Sequence, residues 1–275
     1  MLKGVLFGAG RMGGFHRAKI AARADVELVV VDPPLGLRPD VGEVDFAIIA
    51  TPSSTHRHVA EPLLSRGVPC LVEKPLAHTI DDARALAAHP KLMVGHVERF
   101  NPALVPIRGA RPRFVQCERL APFPARGTDV SVIDDLMIHD LDLVSSFLGT
   151  DLTDVRAVGV GVLTSEPDIC NVRLEIGGAV AVLTASRVSR ESVRKLRLVE
   201  PGVYWSVDLL ARTVTRVDWG DGDLTGSPVP VSDEDALDRE HDAFFAAVRG
   251  EAPFDPDGGV GLRALELAAA VKRAL

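Results

Sequence analysis

The sequence predicts an α/β chain with two domains: an N-terminal doubly wound parallel sheet, then a C-terminal α+β domain whose open sheet is mixed and largely antiparallel. Two observations carry this expectation. Over residues 1–97, short apolar runs bounded by Gly, Pro or Asp alternate with helical patterns, which is the mark of βαβ units. Over 98–275 the pattern changes to longer stretches with period-two alternation, which suits a sheet with one face open.

The first domain takes its strands from 2–7, 27–31, 46–50, 70–72 and 92–94. Between them, 55–66 starts at a capping-type Thr55 and stops before Gly67, and 79–88 opens Thr79-Ile80-Asp81-Asp82, acidic in its first turn. Both read as crossover helices. In the second domain 156–163, 170–176, 179–187 and 212–217 alternate as strands, the loop 121–130 is compact, and 220–226 is a hairpin tip. A helix over 133–148, stopped by Gly149, precedes that sheet, and helices over 233–249 and 259–275 close the chain.

Composition narrows the function. A net charge of -7 with 5% aromatics provides neither a basic stripe for phosphates nor a stacking platform, so no nucleic-acid partner is expected. No apolar run reaches the ~18 residues that span a bilayer, so no membrane partner is expected, and the start of the chain reads as a first strand and not as a signal peptide. Cys70, Cys117 and Cys170 are an odd set without paired spacing, so neither a disulfide framework nor a zinc site is indicated. A cytoplasmic location is expected, and no metal.

Gly8-Ala9-Gly10-Arg11-Met12-Gly13 follows the first strand and opens a helix, the context in which a GxGxxG turn cradles a pyrophosphate on a helix N-terminus; alone, the pattern is also that of a tight turn. Asp32 ends the second strand 19 residues after Gly13, where a carboxylate accepts from adenosine ribose hydroxyls and repels a 2′-phosphate, so NAD is expected over NADP. It could otherwise cap a turn before Pro33-Pro34. Ala50, Thr51 and Pro52 end the third strand with small residues against which the nicotinamide half could lie, and His56 follows them; His58 reads as a solvated first-turn residue.

Glu73-Lys74-Pro75 follows the fourth strand, where a lysine faces the ligand crevice of an open α/β sheet. With the glycine loop, the Thr51-Pro52 stretch, Gly95-His96-Val97-Glu98-Arg99-Phe100-Asn101-Pro102, Asp135-Leu136-Met137-Ile138-His139-Asp140 and Gly261-Leu262-Arg263-Ala264-Leu265-Glu266, it resembles the glucose-fructose oxidoreductase, inositol dehydrogenase and MocA (Gfo/Idh/MocA) family over essentially the whole chain. The form of residues 95–102 is particularly similar to the branch acting on C3 of UDP-N-acetylglucosamine. The resemblance implies NAD-dependent oxidation of a ring hydroxyl on a sugar or nucleotide sugar, with a polyol dehydrogenase as the enzymatic alternative and a non-catalytic NAD(H) sensor as the other.

The chemistry can also be argued from the residues. Asp135 and His139 are four apart in a helical pattern, hence on one face. An imidazole titrating near neutrality suits removal of a hydroxyl proton, and the Lys74 ammonium suits a developing alkoxide. His96, Arg99 and Asn101 are further candidates for substrate contact. Arg187, Arg190, Arg194, Lys195 and Arg197 read as a solvated strand edge, or alternatively as a diphosphate receptor. The apolar residues Val158, Val160, Val162, Val172, Leu174, Ile176, Val180, Val182 and Leu183 suggest a homodimer or homotetramer formed through the second sheet.

Overall fold

The computed structural model describes residues 1–32, 41–123, 130–220 and 223–275. The turn expected after Asp32 and most of the loop 121–130 lie outside the described residues, as do residues 221 and 222 of the expected hairpin tip 220–226, whose remaining residues belong to strands. Contacts divide the chain into two units, one of residues 1–100 and 235–265, the other of 101–234 and 266–275.

Unit 1 is built on a parallel sheet of five strands, β1 (Leu2–Phe7), β2 (Val26–Val31), β3 (Phe46–Ile49), β4 (Cys70–Glu73) and β5 (Leu92–Gly95), in the order β2-β1-β3-β4-β5. Its helices are α1 (Arg11–Ile20), α2 (His56–Ser65), α3 (Ile80–Ala87) and α5 (Ala236–Val248). Residues of β3, β4 and β5 are buried on both faces, as a parallel sheet requires, while the edge strand β2 leaves Glu27 and Val29 exposed. Leu6, Phe46, Ile48 and Leu71 share a core with Ile20, Phe244 and Phe245, whereas Val5, Ala47, Ile49 and Val72 share one with Ala60, Leu63, Ala83 and Leu86. This explains a departure from the expected boundary at 97/98. The helix α5 belongs to unit 1 because Phe244 and Phe245 cover a sheet face that α1 alone leaves incomplete.

Unit 2 has an eight-stranded sheet in the order β13-β12-β11-β10-β6-β9-β8-β7. Its strands are β6 (Phe114–Leu120), β7 (Leu152–Val160), β8 (Ile169–Ile176), β9 (Ala179–Ser186), β10 (Val193–Glu200), β11 (Val203–Asp208), β12 (Thr213–Gly220) and β13 (Asp223–Val229). Every pairing is antiparallel except β6 with β9. The β8–β9 hairpin turns on Gly177 and Gly178, both at positive φ (58° and 74°), the backbone that suits a two-residue hairpin.

One sheet face packs on a π-helical turn (Ile133–Met137), on α4 (Ile138–Leu148) and on Leu267, Ala268 and Val271 of α6 (Gly258–Arg273). The expected apolar patch therefore needs correction. Val172, Leu174, Ile176 and Leu183 lie in this core, while Val158, Val160 and Val162 are 68%, 50% and 56% exposed. The correction follows from strand alternation, which sends successive side chains to opposite faces.

Candidate active site

The carboxyl ends of the unit 1 strands present the glycine loop. Gly8 has φ +98°, and a Cβ there would stand 2.5 Å from the Ala50 carbonyl oxygen; one on Gly13 would stand 2.0 Å from the Gly8 carbonyl oxygen. These two glycines let the loop, β3 and α1 approach closely. Gly10, at the start of α1, has nothing within 4 Å of its Cβ position, so the helix N-terminus is open there. Arg11 and Met12 form its first turn. Asp32 accepts from the Ala9 N–H at 3.1 Å, which ties the end of β2 to the loop.

Thr51 and Pro52 leave β3 in a turn that Thr55 closes, its hydroxyl lying 2.8 Å from Thr51 Oγ1 and 2.7 Å from the Pro52 carbonyl oxygen. His56 is buried. Its Nε2 faces the Thr51 carbonyl oxygen at 2.8 Å, and its Nδ1 faces those of Pro75 and Leu76 at 3.1 and 3.2 Å. Burial lowers its pKa while these carbonyls pull it upward. The ring thus braces the Thr51-Pro52 turn against the turn that follows Lys74, so any effect of His56 on a ligand runs through that turn.

Lys74 follows β4 directly and is half-buried, next to the buried Glu73, whose Oε2 accepts the Lys74 backbone N–H at 3.2 Å. His96, just beyond β5, is buried, and Arg99 lies in the short 3-10 helix Val97–Phe100. Asn101 belongs to unit 2. Its Oδ1 caps the 3-10 helix Pro102–Ile107 through the Ala103 N–H at 3.0 Å, and its Nδ2 donates to the Leu209 carbonyl at 2.9 Å. Both ends of the amide expected to meet substrate are thereby engaged within the protein.

Asp135 lies in the π-helical turn and His139 in the first turn of α4, both half-buried. A single α-helix over 133–148 was expected; the i→i+5 turn replaces its first part, a feature frequent at functional sites. The helix is anchored at the next residue. Asp140 is buried and takes a two-pronged ion pair from Arg119 of β6, with Nη2 to Oδ1 at 2.8 Å and Nε to Oδ2 at 3.0 Å. On the side of Asp135, Lys272 pairs with Asp134 at 2.8 Å.

The basic cluster divides. Arg190, Arg194 and Lys195 are exposed and Arg197 is half-buried, but Arg187 is 1% exposed and pairs with Asp168 at 2.7 Å, which removes it from any surface receptor. Burial alone would raise the Asp168 pKa. The N–H groups of Leu163, Thr164 and Val162 together with Arg187 hold it well below the usual carboxylate range instead. Reasoning from sequence missed His16, Glu240 and His241. His16 is three residues after Gly13 on α1, a position that marks it as close to the loop.

Residues 15–92 match the family model GFO_IDH_MocA, described as an oxidoreductase family with an NAD-binding Rossmann fold. The chain is 38% identical to UDP-N-acetylglucosamine 3-dehydrogenase of Acidithiobacillus ferrooxidans, over 100% of this chain and 97% of the relative. A solved structure of UDP-N-acetylglucosamine 3-dehydrogenase from Acidithiobacillus ferrooxidans superposes with a TM-score of 0.91 at 36% identity, covering 100% of this chain and 97% of that one. An inositol 2-dehydrogenase of Rhizobium meliloti is 26% identical over 98% of this chain and 96% of its own length. The chain belongs to the Gfo/Idh/MocA family of NAD-binding oxidoreductases. The glycine loop fits the dinucleotide, with two glycines required by close packing and a third that leaves the start of α1 open to a phosphate. Among the described residues, no helix is long and apolar enough to cross a membrane.

Proposed function

We propose that this chain oxidises a ring hydroxyl of a nucleotide sugar with NAD, the first candidate being C3 of UDP-N-acetylglucosamine. The observation that carries the reading is the 38% identity to a UDP-N-acetylglucosamine 3-dehydrogenase along the whole chain. NAD, when bound, supplies the nicotinamide C4 that accepts the hydride. Gly8, Gly10, Arg11, Met12 and Gly13 hold the pyrophosphate, and Asp32 accepts from the adenosine ribose. Ala50, Thr51 and Pro52, with His56 behind them, and Glu73 and Lys74 border the nicotinamide half.

His139 takes the hydroxyl proton on its imidazole, the Lys74 Nζ ammonium stabilises the negative charge growing on that oxygen, and Asp135 orients substrate or imidazole. His96 and Arg99 contribute to sugar binding, and Asn101 shapes that region through its cap. The active form is a homodimer or homotetramer joined on the open face of the unit 2 sheet, where Val158, Val160 and Val162 are exposed. Cys70, Cys117 and Cys170, all free and buried, suit a reducing cytoplasm.

The test is a screen of the purified chain with NAD against UDP-N-acetylglucosamine, other UDP-sugars, free sugars and inositols, following reduced cofactor and the mass of the keto product. UDP-N-acetylglucosamine is expected to be turned over with the highest kcat/KM. Preference for an inositol would replace the substrate. NAD binding without turnover of any of them would leave the sensor reading.

A further inference from the structure

One buried polar cluster of unit 1 includes Glu73 but reaches beyond the residues assigned to cofactor and chemistry. It joins His16 on α1, Glu73 at the end of β4, and Glu240 and His241 on α5. His16, Glu240 and His241 are 0% exposed and Glu73 is 7% exposed. His16 Nε2 lies 2.8 Å from Glu73 Oε1, and His16 Nδ1 lies 2.8 Å from His241 Nε2. The other oxygen of Glu73 accepts the Lys74 backbone N–H at 3.2 Å. On the neighbouring strand Gly95 leaves the carboxylate its space, since a Cβ there would stand 2.9 Å from Glu73 Oε1. An unbroken line of hydrogen bonds therefore runs from α5 through α1 to the main chain of Lys74.

Each of these bonds needs one hydrogen, which orders the protons. A carboxylate only accepts, so His16 carries its hydrogen on Nε2 and accepts at Nδ1 from the His241 Nε2–H. His241 Nδ1, buried and without a partner among the described residues, is then a bare acceptor. The reverse order would strand a buried N–H there, and an unpaired buried donor is the costlier defect. Glu240 completes the cluster. Neither of its oxygens has a partner among the described residues, and one lies within 4.8 Å of the groups offered by His16 and Glu73. Burial, reinforced by the charge of Glu73, raises its pKa well above the usual value. That trio also has the spacing of a metal site. Both His16 nitrogens are already hydrogen-bonded, however, so a cation would have to break the line.

We propose that His241, His16 and Glu73 form a positioning relay that sets the main chain at Lys74, the two histidines acting through Glu73 and never touching substrate. The inference rests on the reading of Lys74 as a catalytic residue. Nitrogen-15 NMR of the histidine-labelled full chain reads the proton order without any substrate, and Nε2–H tautomers are expected for both His16 and His241. Two variants break the relay from opposite sides. His16→Phe keeps a ring but removes both of its hydrogen bonds, and Gly95→Ala pushes the Glu73 carboxylate without altering a histidine. Each is expected to lower kcat by about 10- to 100-fold while NAD affinity stays nearly unchanged, the scale on which loss of supporting shells acts. His16→Gln, whose amide N–H can still donate to Glu73, is expected to recover part of the loss.

Unchanged kcat in both Gly95→Ala and a folded His16→Phe, or an Nδ1–H on either histidine, overturns the relay. If the wild type turns over none of the screened substrates, the dehydrogenase reading fails separately. The resonance of carbon-13-methylated Lys74 then decides for the relay: it is expected to shift in Gly95→Ala and His16→Phe, and an unmoved resonance overturns it.

Discussion

Unit 2 buries charge in closed pairs. Arg187 meets Asp168 at 2.7 Å while the N–H groups of Val162, Leu163 and Thr164 fill the remaining carboxylate positions, and Arg119 grips Asp140 through both oxygens. Unit 1 buries His16, Glu73, Glu240 and His241 together with no guanidinium among them, and leaves Glu240 and His241 Nδ1 unpartnered among the described residues. A closed pair holds structure in place: Asp168 pins the segment 162–164, and Asp140 fixes the start of the helix that carries His139. An open cluster retains unsatisfied polar groups at a free-energy cost, and such groups concentrate where geometry matters more than stability.

The largest expected effect lies next to the Arg119–Asp140 pair. His139→Ala is expected to lower kcat on a confirmed substrate by roughly 10²- to 10⁴-fold with NAD affinity nearly unchanged, as steady-state kinetics and cofactor titration would show. Near-normal turnover would move the base elsewhere, for instance to His96. The closed pairs themselves are tested by Arg187→Ala, which leaves Asp168 buried with its backbone N–H donors but without its countercharge. A loss of about 3–5 kcal/mol in urea unfolding is expected, and a loss below about 1 kcal/mol, the scale of an exposed pair, would erase the contrast between the two units.

The open cluster should show itself in the pH dependence of stability. Burial above all, with the nearby positive charges of Arg23 and Lys19, pushes His241 down to about 3 from 6.5, so the unfolded chain binds a proton that the folded chain refuses. That contribution to stability is lost as pH falls below 6.5. Glu240 has the opposite sign: its raised pKa keeps a proton in the fold that the unfolded chain releases above 4.5, so its contribution is lost as pH rises. Between about 4.5 and 6.5 the two oppose each other. Unfolding free energies measured over that window are expected to fall with rising pH in His241→Asn, by on the order of 1.4 kcal/mol per pH unit relative to wild type, and to rise in Glu240→Gln. Parallel curves for all three proteins would show that neither group titrates as its burial implies. The smallest effect concerns the glycine loop. NAD is expected to bind at least about tenfold more tightly than NADP, a difference of about 1.4 kcal/mol, and Asp32→Ala to narrow it; equal wild-type affinities would remove Asp32 from the ribose.

The order of elements in unit 1, four of the eight unit 2 strands, the glycine loop, the strand-end lysine and the family were legible because each depends on neighbours close in sequence. Periodicity reports which side of an element is apolar, and turns and caps report where it stops. Three things were decided by the tertiary structure alone. Phe244 and Phe245 assign α5 to the first sheet, although α5 follows the whole second sheet in sequence, because an apolar face does not say which surface covers it. The alternation of Val158 and Val160 against Val172 and Leu174 does not reveal which set faces α4 until the strands are paired. The relay joins His16 to residues 57 and 225 positions away, and no local pattern encodes a hydrogen bond across such separations; it exists because packing α1 and α5 on one face of a parallel sheet brings two imidazoles to the end of β4.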